Sequence, residues 1–258
     1  MSNSIHMEFA IKLKEKTGKE FLSYTSVKHA LADMRLFELY VQGKLERKTD
    51  SLTFGSVYDC LLFTPEDFNT RFVVFDDLAI VNDIGGRNPR ATKEYKEWKS
   101  QFSRGAGERE VVSLEDYQKA IDMISRIMET EAHKYLIGKY QEELQGFIGF
   151  VPVRGFLDCL GSGFVSDSKT TRSISGFKRD VYAFGYDIQA YIYKSLSGQE
   201  DYYWVAQDTS YPYTPAVYKA RQETINGGKY KFDQAVKTID SYLKSNDSTM
   251  TFSLFGEI

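Results

Sequence analysis

The sequence predicts an α/β protein of the α+β kind, with a restriction-endonuclease-like core in which helices flank a small central mixed β-sheet. Helical patterns fill the first half of the chain, and short aromatic and β-branched runs gather after residue 147. A long helical pattern follows these runs, and another closes the chain. With 42% hydrophobic residues and only 5 prolines, the composition is globular. We expect a single domain over 1–258.

Charge and cysteine content exclude several classes of protein. The net charge of -3 argues against a broadly basic nucleic-acid-binding surface, so any DNA contact must be local or assisted by metal ions. Cys60 and Cys159 lie in separate apolar runs, which favours buried thiols over a zinc or iron–sulfur site. No apolar run approaches the ~18 residues of a membrane helix, and no signal-peptide pattern opens the chain. We therefore expect a cytoplasmic protein without a membrane partner.

The first part of the chain is predicted to be helical. Residues 1–22 are expected to form an arm or short helix, and Thr25 or Ser26 is expected to cap a helix that ends at Gly43. The apolar run from Thr53 to Phe63 predicts a buried helix, interrupted only by Asp59. A buried charge needs a partner or a function.

The next segment is less regular. A strand is predicted over Arg71–Phe75, and residues 82–110 are glycine-rich and basic, which predicts a loop-rich excursion with a helix near Thr92–Phe102. This excursion is either a solvated surface or a DNA-phosphate contact. Ser113 is expected to open a long amphipathic helix, and a strand follows over Phe147–Val153.

The densest chemistry lies between Arg154 and Lys169, read as two strands joined by a turn at Gly161-Ser162. That turn would place Asp158 opposite Val165. Because side chains alternate along a strand, Asp158, Asp167 and Lys169 would then share one face, with the two acids about 7–8 Å apart. Two acids and a lysine on one face predict a divalent metal site.

A helix is predicted after this hairpin, from Ser175 or Gly176 to Gly198. Gln189 and Tyr193 are four residues apart and therefore lie on one face of it. The rest of the chain predicts two strands and an amphipathic closing helix, over Tyr202–Ala206, Ala216–Arg221 and Gln234–Lys244.

These motifs resemble the PD-(D/E)XK nuclease superfamily, most closely its RecB-like branch and the exonuclease VIII (RecE) type of phages. The resemblance rests on four segments: the Gly155–Asp158 strand, Asp167-Ser168-Lys169, the Gln189–Tyr193 helix and the Gly55–Phe68 segment. Asp59 stands where the family has a metal-binding histidine. A carboxylate suits that place, because Mg²⁺ prefers oxygen ligands.

The resemblance implies metal-assisted hydrolysis of DNA phosphodiesters. Asp158 and Asp167 would bind one or two Mg²⁺ or Mn²⁺ ions, joined by Asp59 and the backbone carbonyl of Ser168. Lys169 would orient or help to deprotonate the attacking water. The remaining implied residues are Gln189 and Tyr193, which would hold the site together, and an outer carboxylate from Glu142 or Glu143.

The resemblance also implies a substrate and partners. The expected activity is 5′→3′ digestion of double-stranded DNA ends, leaving 3′ single strands for a strand-annealing protein, by a ring-shaped homo-oligomer. The Thr25-Ser26 helix matches the family's N-terminal segment, where Lys28 and Arg35 could hold a 5′-phosphate. Arg172 and Lys178 could contact phosphates, although a solvated basic turn explains them nearly as well.

Two alternatives remain from the sequence. A structure-specific or restriction-type endonuclease of the same fold would cut closed circular DNA, which an end-dependent exonuclease leaves intact. A catalytically inactive DNA-binding or assembly module would keep the fold without the activity. The complete acid–acid–lysine set disfavours the inactive module.

Overall fold

A five-stranded mixed sheet forms the centre of the protein, in a computed structural model that describes residues 2–45 and 50–245. Its strands are β3 to β7 in sheet order, namely Lys139–Ile148, Val151–Leu160, Phe164–Thr171, Asp201–Asp208 and Pro215–Lys219. The β5–β6 pair is parallel, and the other pairs are antiparallel. Helices flank this sheet, so the predicted fold class is confirmed.

The helices are α1 to α11: Ser2–Thr17, Tyr24–Ala32, Met34–Val41, Asp50–Phe63, Phe68–Arg71, Leu78–Ile84, Lys93–Gly105, Leu114–Met128, Phe177–Ala183, Tyr186–Ser197 and Gln222–Lys244. The largest core cluster packs α2, α10 and α11 against β4, β5 and β6. Smaller clusters lie around α4 and α8. No helix in the described part of the chain is long and apolar enough to cross a membrane.

A second, two-stranded sheet is built from β1 (Phe72–Phe75) and β2 (Glu110–Ser113), which run parallel. The segment between them contains α6 and α7, so the region expected to be loop-rich is largely helical. Asp77, at the start of this segment, is fully buried and accepts hydrogen bonds from Arg90 Nε at 2.8 Å and Tyr95 Oη at 2.6 Å. These bonds hold the excursion against the small sheet.

Strands β4 and β5 separate almost as soon as they pair. Only Cys159–Ser166 and Leu160–Val165 are in register, after which the strands diverge. Further along β4, Leu22 takes the place that β5 leaves: its N–H donates to Pro152 O and its O accepts from Arg154 N, both at 2.9 Å. We call this divergence, at Asp158, the fork.

The fork makes the N-terminal segment part of the core. Phe9, Leu13 and Leu22 are buried, and α1 packs against α11 and β4. The short helix expected within 1–22 is present as α1, but its packing shows that the segment is not a separate arm. The sequence reading did not place it in the core, because its apolar residues are interspersed with charged ones and form no clear stripe.

The predicted hairpin register is also wrong. The bond from Gly161 N to Phe164 O, at 2.9 Å, encloses Ser162 and Gly163, so the two-residue turn lies one residue later than predicted, and Gly163 has a φ of 87°. Leu160, rather than Asp158, lies opposite Val165. A shift of two residues preserves the alternation of side chains, so Asp158 now falls directly opposite Asp167 if the register is continued.

Two helix boundaries also differ from expectation. Ser23, not Thr25 or Ser26, caps α2, and Ser26 completes a capping box with it. The helix predicted from Ser175 to Gly198 is two helices, α9 and α10. They are separated at Gly185, whose φ of 76° is a left-handed conformation that ends a helix and suits glycine.

Candidate active site

The fork brings the two hairpin acids together. The backbone N–H of Ser168 donates to Asp158 Oδ2 at 2.9 Å, which binds β4 and β5 through a side chain where their backbones no longer pair. The carboxyl groups of Asp158 and Asp167 lie close enough to affect each other's pKa. The sequence-predicted pair of acids therefore forms one site.

Two helices reach this site from different elements of the fold. From α10, Gln189 Nε2 donates to Asp167 Oδ1 at 2.8 Å, and the contact is buried. From α4, Asp59 lies close enough to Ser168, Lys169 and Asp167 for each of them to affect its pKa. The acid of the early apolar helix and the glutamine of the later helix thus meet at β5.

Lys169 lies at the centre of these oxygens. Its ammonium group forms an ion pair with Asp167 and donates to the backbone carbonyl of Ser168 at 3.2 Å. The Tyr186 ring lies 5.1 Å from Lys169 Nζ, within cation–π range. Lys169 is held from both sides, by carboxylates and by an aromatic ring.

Burial raises the pKa of all three acids, and repulsion from neighbouring carboxylates adds to it at Asp59 and Asp158. Burial is the main cause for Asp59, whose pKa rises to about 7. Burial, and then the neighbouring carboxyls, raise the pKa of Asp158 well above its usual value, and burial also raises the pKa of Asp167. Burial alone would lower the pKa of Lys169, but Asp167 and Asp158 outweigh it and the net shift is upward. The site therefore holds more negative charge than its single lysine neutralises.

This excess of carboxylate charge suits a divalent cation. Across residues 2–45 and 50–245, no three His, Cys, Asp or Glu side chains are already gathered into a ligand geometry. The donor chemistry fits nevertheless, because carboxylate and carbonyl oxygens are the ligands of hard cations. The Lys169 ammonium group contacts Asp167 and the Ser168 carbonyl, two of the predicted ligands. A cation bound there would have to displace it from them.

Gly155 positions Tyr193, the second motif residue of α10. A Cβ atom at Gly155 would lie 2.5 Å from Cε1 of Tyr193, so only glycine lets this ring rest on β4. Tyr193 in turn shares a hydrogen bond with Gln189, and burial raises its pKa to about 12, which keeps the phenol protonated. Tyr193, packed on Gly155, therefore limits the positions that the Gln189 side chain can take.

The outer carboxylate is not identified by these contacts. Glu142 and Glu143 lie inside β3, in register with Leu157 and Phe156. Glu143 is exposed and accepts a hydrogen bond from Gln145 at 3.0 Å, with Arg154 at 3.9 Å. Within residues 2–45 and 50–245, no hydrogen bond or ion pair joins either glutamate to the fork acids, and their role stays a prediction.

The predicted phosphate contacts fall into two groups. Ser26 is buried, and its hydroxyl donates to Ser23 O and accepts from Ser23 N, so it is occupied by the cap. Thr25 is half-buried on the same turn, and Arg35 forms an ion pair with Asp33 at 2.8 Å. Lys28 lies 5.1 Å from the ring of Tyr24. The structure therefore disfavours Ser26 as a direct DNA contact.

The second group lies after the fork. Arg172 and Lys178 are exposed, directly after β5 and within α9. They stand close in sequence to Lys169 and remain candidates for phosphate contact.

Sequence reasoning missed two tyrosines of the site. Tyr186 was given no role from the sequence, although its ring lies 5.1 Å from Lys169 Nζ. Tyr24 donates to Phe184 O at 2.7 Å and lies close enough to Lys169 and Asp167 for their charges to affect its pKa, which burial raises. The three-residue interval between Tyr186 and Gln189, one helical turn, could have indicated the first. No local pattern indicates the second.

Comparison with known proteins agrees with this geometry. A family model described as a PDDEXK-like domain of unknown function (DUF3799) matches residues 17–250. A crystal structure of a putative exonuclease from Eubacterium rectale is similar, with a TM-score of 0.62 and 15% sequence identity over 96% of this chain and 92% of that chain. At this identity the likeness shows the fold. No curated protein sequence matches the chain.

Proposed function

Because the chain belongs to the family of PDDEXK-like domains, we propose that it is a metal-dependent deoxyribonuclease that hydrolyses phosphodiester bonds at the fork. The observation that carries this proposal is the constellation at the divergence of β4 and β5. Three acids with raised pKa values lie around one lysine there, and Gln189 orients the buried one, Asp167, whereas Asp59 and Asp158 are half-buried. Nucleases of the PDDEXK class typically use divalent metal ions.

Each side chain has a role in this proposal. Asp158, Asp167 and Asp59, with the Ser168 carbonyl, would hold one or two divalent ions, which supply an activated water and a Lewis acid for the phosphate. Mg²⁺ is the proposed ion because all the donors are oxygens, and Mn²⁺ would substitute. The outer ligand would be Glu142 or Glu143.

Lys169 is the proposed catalytic cation. Once released from the Ser168 carbonyl, its ammonium group would orient the attacking water and offset charge on the pentavalent phosphate. Gln189 and Tyr193 keep Asp167 and Lys169 in place. Gln189 does so through its hydrogen bond to Asp167, and Tyr193 through its contact with Gln189. Tyr186 confines the lysine to the side of the site where the phosphate would bind.

The finer activity we propose is that of a RecE-type exonuclease, 5′→3′ on linear double-stranded DNA, with the 3′ single strand passed to an annealing protein. A ring-shaped homo-oligomer would keep the enzyme on its substrate. The support for this is the sequence resemblance, together with the exonuclease name of the similar structure. Lys28, Arg35, Arg172 and Lys178 are the proposed phosphate contacts.

The test is digestion of linear duplexes labelled at the 5′ or the 3′ end, beside closed circular DNA, with Mg²⁺ or EDTA. The proposal expects metal-dependent release of the 5′ label and an intact circle. Nicking of the circle would instead establish an endonuclease. An absence of cleavage with both Mg²⁺ and Mn²⁺ would leave only a binding module.

A further inference from the structure

A cleft of about 930 Å³ lies away from the fork acids, between α9, the edge strand β7 and the start of α11. Trp204 of β6 lines it and is in parallel register with Asp167 of β5. Residues in register on neighbouring strands point to the same face of a sheet. The cleft therefore opens on the Asp167 face of the sheet, one strand further on.

The polar groups of this cleft suit an anionic ligand. Four basic and three acidic side chains line it, and Lys219 is neutralised by Asp201 at 2.7 Å. Lys178, Lys194 and Arg221 line it as well, beside Glu200 and Glu223. Four basic minus three acidic side chains give the lining a net formal charge of +1, in a chain whose net charge is -3.

The N-terminus of α11 adds backbone donors. Arg221 is its N-cap residue and makes no side-chain capping bond, and the first-turn residues Gln222, Glu223 and Thr224 line the cleft. The N–H groups of a first helical turn have no partner within the helix, and the helix dipole favours an anion there.

Trp204 is a second, independent observation at the same place. Its side chain is 2% exposed, and its indole Nε1 has no hydrogen-bond acceptor in the protein. Burying such a donor unpaired costs on the order of 1–3 kcal/mol. Nε1 is itself shielded from solvent, so a ligand in the cleft would meet the Trp204 ring, and that ring is the reporter of an occupied cleft.

Aromatic rings connect the cleft with the catalytic lysine. Tyr218 and Phe177 line the cleft and stack at 5.2 Å, and Phe177 stacks on Tyr186 at 6.2 Å. Tyr186 is the ring that lies 5.1 Å from Lys169 Nζ. A base that stacked on Tyr218 would lie a few stacked rings from the scissile phosphate. Rings and cations side by side are the usual features of single-stranded DNA sites.

We propose that this cleft binds nucleotides of single-stranded DNA, with the base against Tyr218 and the phosphate between Lys178, Arg221 and the first turn of α11. The choice of DNA as the ligand rests on the proposed nuclease function, whereas the geometry of the cleft does not depend on that function. The same chemistry would fit a released mononucleotide, so the two sources are separated by the test.

The test uses Trp204 as a reporter. The chain has two tryptophans, so the Trp98→Phe variant leaves Trp204 as the sole indole fluorophore. This variant is titrated in EDTA, without hydrolysis, with single-stranded oligothymidylate and separately with thymidine monophosphate. We expect a saturable change of Trp204 emission with the oligonucleotide. A change with the monophosphate at a similar concentration would assign the cleft to released product and overturn the strand proposal.

Variants of cleft residues test whether the change of Trp204 emission comes from binding in the cleft. Lys178→Gln and Arg221→Gln, in the Trp98→Phe background, should each weaken oligonucleotide binding about tenfold and lower the slope of log K against log salt by about 0.7. Lys237→Gln is the matched control, because Lys237 is exposed on α11 outside the cleft and loses the same charge. Melting temperature verifies that the variants fold.

The outcomes separate this proposal from the nuclease function. Binding with cleft dependence but no cleavage in Mg²⁺ or Mn²⁺ keeps the cleft and refutes the nuclease. Cleavage with no change of Trp204 emission refutes the cleft. Equal binding by the Lys178, Arg221 and Lys237 variants refutes it as well.

Discussion

Asp167 and Asp77 are both almost fully buried carboxylates, yet their surroundings differ in kind. Asp77 accepts from the Arg90 guanidinium group and the Tyr95 hydroxyl, and the Arg90 hydrogen bond is the main reason that its pKa is lowered. Asp167 forms an ion pair with Lys169, whose charge also acts on Asp158 and Asp59, and burial raises its pKa.

The difference teaches how burial of an acid is used in this molecule. A carboxylate whose charge is fully matched stabilises a segment, here the excursion between β1 and β2. A group of carboxylates whose charge is unmatched costs stability until a cation arrives. Four predictions test this contrast, from the largest expected effect to the smallest.

Removal of the fork charges should abolish activity without loss of stability. Lys169→Ala and Asp167→Asn are each expected to lower the rate of DNA hydrolysis about 10³-fold or more, because each removes a group that acts on the reacting phosphate. Asp167→Asn should leave the metal-free melting temperature unchanged or raised, because it removes an unfavourable buried charge. A clear loss of stability in Asp167→Asn would contradict the contrast.

Removal of the Asp77 charge should lower stability and leave activity unchanged. Asp77→Ala leaves the Tyr95 hydroxyl without its acceptor and Arg90 without its main partner, so we expect a loss of about 3 kcal/mol in the free energy of unfolding. Denaturant unfolding measures this loss. Hydrolysis per folded molecule should stay near the unmodified value. Asp83→Ala, at an exposed residue of α6, is the control.

The stability of the metal-free protein should fall as pH rises. The Asp59 carboxyl has a pKa of about 7 in the folded protein against 3.8 in its ordinary state, so between these values the folded state binds more protons than the unfolded state. Stability is therefore greatest toward the lower value and is lost as pH rises toward 7. Asp77, whose pKa is lowered, contributes in the opposite sense and only in acid.

Melting temperatures in EDTA at about pH 5 and about pH 8 measure this effect. A difference of about 5 °C in melting temperature corresponds to roughly 1–2 kcal/mol in the free energy of unfolding. Added Mg²⁺ or Mn²⁺ should raise the melting temperature more at the higher pH, where the ligands are ionised. Asp59→Asn should flatten the profile. An unchanged profile in that variant would contradict the assigned pKa.

The smallest expected effect concerns Tyr186. Tyr186→Leu removes the ring that confines Lys169 and should lower the rate about fivefold to tenfold, near the 1 kcal/mol of a cation–π contact. Tyr186→Phe keeps the ring and should retain most of the activity. A loss as large in the phenylalanine variant would show that the hydroxyl, not the ring, matters. The pH profile of the rate distinguishes a displaced lysine from a general loss of folding.

The residues of the fork could be predicted because their positions follow from local periodicity. Asp158 and Asp167 share a face by strand alternation, which survived the two-residue error in register. Gln189 and Tyr193 share a face by helical spacing. The contact of Asp59 with Ser168 was predicted only through the family resemblance, because no local rule joins α4 to β5.

The rest was hidden because it depends on distant pairings. Asp77 follows the apolar strand β1 without a signal that marks it as buried, and only the fold places Arg90 and Tyr95 around it. The excursion was expected to be loop-rich because of its glycines and charges; its helix near Thr92–Phe102 was predicted and α7 confirms it, whereas α6 was not predicted. The replacement of β5 by Leu22 beside β4 has no sequence signal at all, since a single bridging residue carries no periodicity.

The Leu22 bridge has a consequence for the order of folding. Leu22 is synthesised early, but its partners Pro152 and Arg154 emerge much later, so the bridge closes a long loop at a high entropic cost. Contacts of this kind form late and slow the folding of the chains that depend on them. The hairpin β4–β5 can form locally first, with its inner edge unpaired. The active site is therefore completed only when the beginning of the chain returns to close it.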